Sequence, residues 1–245
     1  MSKIEFRNSM IDKVVIFDIW GDYGYFRRGY TTTSTISYPF PSRTTLAGIV
    51  SGILGYDRDS YYDLFGPKNS SFALQIINPI KKLRINLNLI DTKTGFILSD
   101  NKGQRTQLPA EFLKDVKYRI YLWLEDDLIM DNLLKLLTNH ESIYTPYLGI
   151  SECLANLKLV KKSLIEPKEV SVEGDILVNS IVPTDKAKIR IEQGKKYGAV
   201  KSPAFMNSDR VVNKYQEFYY EENGENMLIV DGECHSIGDA NVIFF

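Results

Sequence analysis

Two stretches of the chain space their apolar residues with a helical period, and short extended runs lie before, between and after them. In the first, Leu46, Ile49, Val50, Ile53 and Leu54 fall at i, i+3, i+4, i+7 and i+8, which is one face of a helix. Ser42 or Thr44 stands where a side chain can cap its first turn, and Gly55 stands where it would end. In the second, Ile129, Leu133, Leu136 and Leu137 mark a helix that ends near His140. KVVIFDIW (13–20) and FALQIIN (72–78) are short apolar runs stopped by Gly21 and Pro79, and they read as buried strands. LRINLNL (83–89) alternates, which puts Arg84, Asn86 and Asn88 on a polar face; Tyr118, Ile120, Leu122 and Leu124 alternate with Arg119, Tyr121 and Trp123. Strand, helix, strand, strand, helix and further strand is the order of a ferredoxin-like, RNA-recognition type sheet with two helices on one face. The fold class is therefore α+β.

The polar, glycine-punctuated stretch DTKTGFILSDNKGQRTQLP reads as a protruding hairpin or mobile loop. After a boundary near Lys161 the pattern predicts a smaller, mainly β region (161–245). Within it, Ile176–Val182 and Val211–Val230 look extended, and Asn223-Gly224 signals a tight hairpin turn. No repeat or low-complexity tract interrupts the chain.

At 245 residues the chain can bury roughly 70–75% of its unfolded surface and needs no disulfide. Cys153 and Cys234 lie far apart, and neither belongs to a C-x-x-C pair, which argues against a metal knuckle and for a reducing, cytoplasmic setting. The N-terminal MSKIEFRNSMIDK lacks the apolar core of a secretory signal, and no segment has the length of a membrane span, so a soluble protein with no membrane partner is expected. The net charge of −1 hides an uneven distribution. Lys186, Lys188, Arg190, Lys195, Lys196, Lys201, Arg210 and Lys214 crowd one segment, whereas beyond Tyr215 there are seven acidic residues from Glu217 to Asp239 and no Lys or Arg.

The stretch that invites chemistry is GYFRRGYTTTSTISYPFPSRTTLAGIVSGILG (24–55). Arg27, Arg28 and Arg43 offer forked cations suited to phosphate. Tyr25, Phe26, Tyr30, Tyr38 and Phe40 offer ring faces for bases, and Thr31 to Thr35, Ser37, Thr44 and Thr45 add short donors. With Thr44 and Thr45 in a first helical turn, free backbone amides there would favour an anion. Such a set suits unpaired nucleic acid. A second reading stands beside it: aromatics and prolines that pin a long loop to the core, with arginines in solvent. GIVSGILG lacks the lysine of a phosphate-binding loop, and its glycines fall inside the helix, which points to close packing.

Hydrolytic and metal chemistry find little to use. His140 stands at a helix end, and His235 lies beside Cys234 in the acidic end; no nucleophile triad surrounds either. Glu125, Asp126 and Asp127 read as a solvated turn, and neither a cofactor nor a metal is expected.

Residues 21–55 (GDYGYFRRGYTTTSTISYPFPSRTTLAGIVSGILG) resemble the N-terminal signature of the Cas-five family, the RAMP-superfamily subunit of type I CRISPR surveillance complexes (Cascade). NPIKK (78–82), RTQLPAEFLKDVKYRIYLWL (105–124) and TPYLGISECLANL (145–157) extend the match over much of 12–157, and its wording is nearest to type I-B members. The resemblance implies a ferredoxin-like domain over 1–160 that grips the 5′ handle of the guide RNA. It also implies a thumb over about 80–109 that packs on the neighbouring backbone subunit, and contact with the large subunit and with target DNA near the protospacer-adjacent motif. By position, Tyr25, Arg27, Arg28, Tyr30, Arg43 and Thr44 match the part nearest the handle, and Lys102, Arg105 and Gln107 match the thumb. In type I-C relatives this subunit cuts precursor RNA without metal, through a tyrosine, lysine and histidine set. No clear match to that set occurs here, so the expected role is non-catalytic, with a metal-independent endoribonuclease resting on His140 as the alternative.

Overall fold

The computed structural model describes residues 11–31, 35–90, 105–172 and 174–245. It is mostly antiparallel sheet with few helices. The first sheet contains β1 (Val15–Gly24), β2 (Ser70–Ile76), β3 (Lys81–Ile90), β4 (Arg105–Leu124) and β5 (Asn156–Leu159). Its order is β2-β4-β1-β5, with β3 continuing along the β4 edge beyond β2. The helices α1 (Arg43–Leu54) and α2 (Asp127–Thr138) lie in the β1–β2 and β4–β5 connections.

Alternation along the central strands sorts their side chains to two buried faces. Val15, Phe17 and Ile19 of β1, with Tyr118, Ile120 and Leu122 of β4, point to the side where α1 and α2 pack. Ile16, Tyr121 and Trp123 point the other way, onto Ile237, Val242 and Phe244. The sheet is thus covered on both sides, the second cover coming from the C-terminal third.

That third forms two further sheets. β10 (Tyr197–Met206), β11 (Val212–Glu221) and β8 (Val182–Pro183) make one, and Val200, Phe218 and Tyr220 from it enter the same core as α1. β12 (Met227–Ile237) is the spine of the other and pairs with β13 (Ala240–Val242), β6 (Lys168–Ser171), β7 (Ile176–Val178) and β9 (Ala187–Arg190). The outer edge of β2 is closed by the same region: Phe72 and Phe245 exchange both backbone hydrogen bonds, and the Ile181 amide donates to the Leu74 carbonyl.

Both helix ends follow from side chains. The Ser42 hydroxyl accepts from the Thr45 amide, and Gly55 ends α1 at φ 83°, as the sequence predicts. Asp126, read from sequence as part of a solvated turn, caps α2 by accepting from the amides of Leu128 and Ile129. The Asn223-Gly224 expectation is corrected. A turn forms there, with Gly224 at φ 78°, but β11 and β12 run into different sheets and do not pair. The buried Glu221 carboxylate holds the turn, accepting from the amides of Lys196, Asn223 and Glu225. An Asn-Gly pair specifies local chain reversal; what the strands then pair with is decided by the rest of the core.

The polar stretch read as a protruding hairpin is one over its described part. β3 and β4 pair from Lys81 with Lys114 to Ile90 with Arg105, an arm of about 30 Å. Residues 91–104, Lys102 among them, lie outside the described residues. Among the described residues no helix is long and apolar enough to cross a membrane.

Candidate nucleic-acid interface

The segment from Tyr25 to Arg43 folds back on itself. The Arg28 amide donates to the Ile36 carbonyl and the Tyr38 amide to Phe26, while Tyr25 is fixed by the Leu148 carbonyl. Gly149, at φ 99°, allows that approach, since a Cβ there would lie 2.0 Å from the Tyr25 carbonyl oxygen. The Thr35 amide donates to Pro109 and its carbonyl accepts from Glu111, which seats the segment on β4.

This path divides the aromatic set. Tyr25, Phe26, Tyr38 and Phe40 are buried. Tyr25 stacks on Phe112 at 4.7 Å, and its hydroxyl donates to Thr35 Oγ1. Phe40 meets Phe218 and Tyr220 edge-on. Each ring contributes about 1.5–3 kcal/mol by leaving water, more than exposure for base stacking would leave available to the fold. For these four the core-pinning reading holds, and Tyr25 is corrected from a stacking surface to a buried residue. Tyr30, by contrast, is 71% exposed.

The arginines separate in the same way. Arg27 is exposed, with Nη2 donating to the Thr31 carbonyl. Arg28 lies over the Tyr38 ring at 5.3 Å and donates to the Tyr30 hydroxyl, so it positions Tyr30. Arg43 is corrected outright. It is 2% exposed; Nη1 donates to the Phe65 carbonyl, Nη2 to the Ser70 carbonyl and hydroxyl, and Nε to the Phe245 carbonyl. Its guanidinium lies 4.0 Å from the Phe205 ring centroid. Burial pushes its pKa down to about 9, still above neutral pH, so a charged fork is held by carbonyls where a phosphate ligand was expected. Nothing in local spacing separates a buried arginine from an exposed one.

What remains on the surface converges on a cleft of about 770 Å³. Arg27, Gly29, Tyr30, Ser42, Thr44 and Thr45 line it, together with the buried Tyr25, Phe26 and Tyr38. Thr44 is half-buried, with Oγ1 3.0 Å from the capping Ser42 hydroxyl. Gly149 and Ile150, and Pro203, Val212 and Tyr215 of the β10–β11 hairpin, complete the lining. The Tyr38 hydroxyl has its pKa raised, first by burial and then by Tyr30, with Tyr215 adding to the effect and Arg28 opposing it. Four tyrosines line this one space, Tyr25, Tyr30 and Tyr38 from one segment and Tyr215 from the β10–β11 hairpin. The hairpin residues escaped sequence reading because their segment stands out only by its basic charge.

Arg105 and Gln107 are exposed on β4, opposite Ile90 and Asn88 at the far end of the β3–β4 arm, and they do not line the cleft. His140 is exposed just past α2 at φ 57°, and His235 packs edge-on to Phe244; neither lines the cleft. Among the described residues no cluster of His, Cys, Asp and Glu is placed to hold a metal ion.

A family model described as CRISPR-associated protein (Cas_Cas5) matches residues 14–215. No curated protein matches the chain. Among solved structures, a CRISPR protein from Archaeoglobus fulgidus aligns with a TM-score of 0.57 at 16% identity, covering 94% of this chain and 98% of that one. A chain of a CRISPR RNA-guided surveillance complex aligns with a TM-score of 0.53 at 16% identity, over 88% of this chain and 91% of the other. Identity this low speaks to fold alone.

Proposed function

The chain belongs to the CRISPR-associated Cas5 family, and from that premise we propose that it is a non-catalytic, RNA-binding subunit of a type I surveillance complex of the I-B kind. The observation that carries this reading is the cleft, where an exposed Arg27, an exposed Tyr30 and the hydroxylated first turn of α1 meet. Arg27 supplies a cation for phosphate, and Tyr30 supplies a ring face for a base. One such stack is worth about 1–3 kcal/mol, so binding without a basic pI needs further stacks and phosphate pairs beside it to outweigh the ordering of the chain and RNA. The strand order β2-β4-β1-β5, with α1 and α2 in the crossovers, supports a ferredoxin-like reading of residues 1–160, with 161–245 as the smaller β region.

In this reading the cleft takes the 5′ handle of the guide RNA. The β3–β4 arm is the thumb: Leu83 and Leu89 on it are exposed apolar residues suited to the neighbouring backbone subunit. The remaining partners are the large subunit and target DNA beside the protospacer-adjacent motif.

Photocrosslinking of guide RNA in the assembled complex tests the placement. Adducts should fall on the peptide containing Arg27 and Tyr30 and involve handle nucleotides; adducts confined to other surfaces would contradict it. Incubation of the chain with repeat RNA in EDTA tests the catalytic alternative, because specific cleavage abolished by His140→Ala would replace the binding role with a nuclease.

A further inference from the structure

We propose that the β10–β11 hairpin is a second nucleic-acid-binding element, in which Tyr215 is the stacking platform for an unpaired RNA base in the same cleft that Arg27 and Tyr30 line. The proposal rests on the reading of the cleft as an RNA site and extends it to the C-terminal third.

Tyr215 lines the cleft and is 50% exposed, so a large aromatic residue is left half in water beside a groove that Arg27, Tyr30, Thr44 and Thr45 also line. Its cross-strand partner is Pro203, which also lines the cleft, and Lys201 Nζ lies 6.0 Å from its ring centroid. A ring with a cation nearby and a second tyrosine facing the same space offers what a base and its phosphate need together.

The wall is fixed before any ligand arrives. Register shifts between Pro203 and Met206 break the alternation of β10. Ala204, Phe205 and Met206 can therefore all reach α1 and its following loop, while Pro203 stays on the cleft. Phe205 is held there by the Arg43 guanidinium. The hairpin tip is tied down separately: Arg210 donates from Nε and Nη2 to the two carboxylate oxygens of Asp59, at 2.8 and 3.2 Å. Asp59 also accepts from the Tyr62 hydroxyl at 2.7 Å. A platform anchored at both places loses little freedom on binding, which favours affinity.

The test measures affinity of the full chain for a short unstructured RNA oligonucleotide, with its salt dependence, for Tyr215→Ala, Tyr215→Phe and Arg27→Ala. Tyr215→Ala should weaken binding about 5- to 150-fold, the equivalent of one lost stack, at an unchanged log-log salt slope. Tyr215→Phe, which keeps the ring, should bind as the unaltered chain does. On the unaltered chain, which removes any question of folding, an iodouridine-substituted oligonucleotide should crosslink at Tyr215. Normal affinity of Tyr215→Ala together with a flattened slope for Arg27→Ala would overturn the hairpin proposal and leave the cleft reading standing. Indifference of all three variants would overturn both. A protein subunit lost from the complex on Tyr215→Ala, with RNA affinity intact, would likewise overturn the hairpin's role in RNA binding.

Discussion

The Arg43 guanidinium lies 4.0 Å from the ring centroid of Phe205, so the first residue of α1 and a half-buried residue of β10 are in contact across the length of chain between them. The same guanidinium donates to carbonyls before and within β2 and at Phe245. A cation that local sequence offers to phosphate is instead the junction of four chain segments.

Replacing Arg43 with Ala should therefore act on stability. The carbonyls of Phe65 and Ser70 would lose their donors and a cavity would open, at a cost of about 2–4 kcal/mol in urea unfolding of the full chain. Arg43→Lys should fall most of the way with it, because one ammonium cannot serve planar, divergent acceptors. Wild-type stability with weakened RNA binding would instead return Arg43 to the surface role.

Glu221 makes a comparable demand. Its buried carboxylate accepts two backbone amides of the turn between β11 and β12, from Asn223 and Glu225, and a third from Lys196 just before β10. Glu221→Ala strands those amides and should destabilise the chain by at least about 2 kcal/mol. A thermal melt superimposable on that of the unaltered chain would refute this accounting.

The Asp59–Arg210 pair predicts a local effect. Both groups are exposed, so Arg210→Ala should leave global unfolding nearly unchanged. Hydrogen exchange should nevertheless quicken at the amides of Asn207, Arg210 and Val211 near the hairpin tip. Equal protection in the two chains would mean that the tip is held by other contacts.

His235 supplies a pH dependence. Burial pushes its pKa below the ordinary 6.5, with Glu169 and Glu233 opposing and Lys186 reinforcing the shift. In the window from 6.5 down to the folded value, the unfolded chain binds more protons than the folded one. Stability from this group is thus complete above 6.5 and is lost as the pH falls through that window. His235→Gln should flatten this part of the stability profile; an unchanged profile would assign the acid sensitivity elsewhere.

The elements that local pattern defines well were legible in the sequence. α1 has both of its caps written out at Ser42 and Gly55, β1 is recognisable by its apolar content, and the second half of β4 by the alternation from Tyr118 to Leu124. β10 was not, because a strand broken by register shifts near Pro203, with lysine and proline in it, carries no clean alternation. The site was half legible for a related reason. Of the residues the sequence singled out, Arg27, Tyr30 and Thr44 line the cleft with polar or exposed groups, whereas Tyr25 lines it while buried and Arg43, alike in kind to Arg27, turns into the core. Tyr215 could not be found, since its approach to Tyr38 depends on how the C-terminal third packs on α1.

The central claim is that the cleft holds unpaired RNA through Arg27, and the dependence of affinity on salt measures this most directly. Titration of the unaltered chain and Arg27→Ala with single-stranded RNA across a salt series should show the variant's log-log slope shallower by about 0.7, the signature of one phosphate contact removed. Superimposable slopes would mean that no phosphate meets Arg27, and the cleft would not be the RNA site.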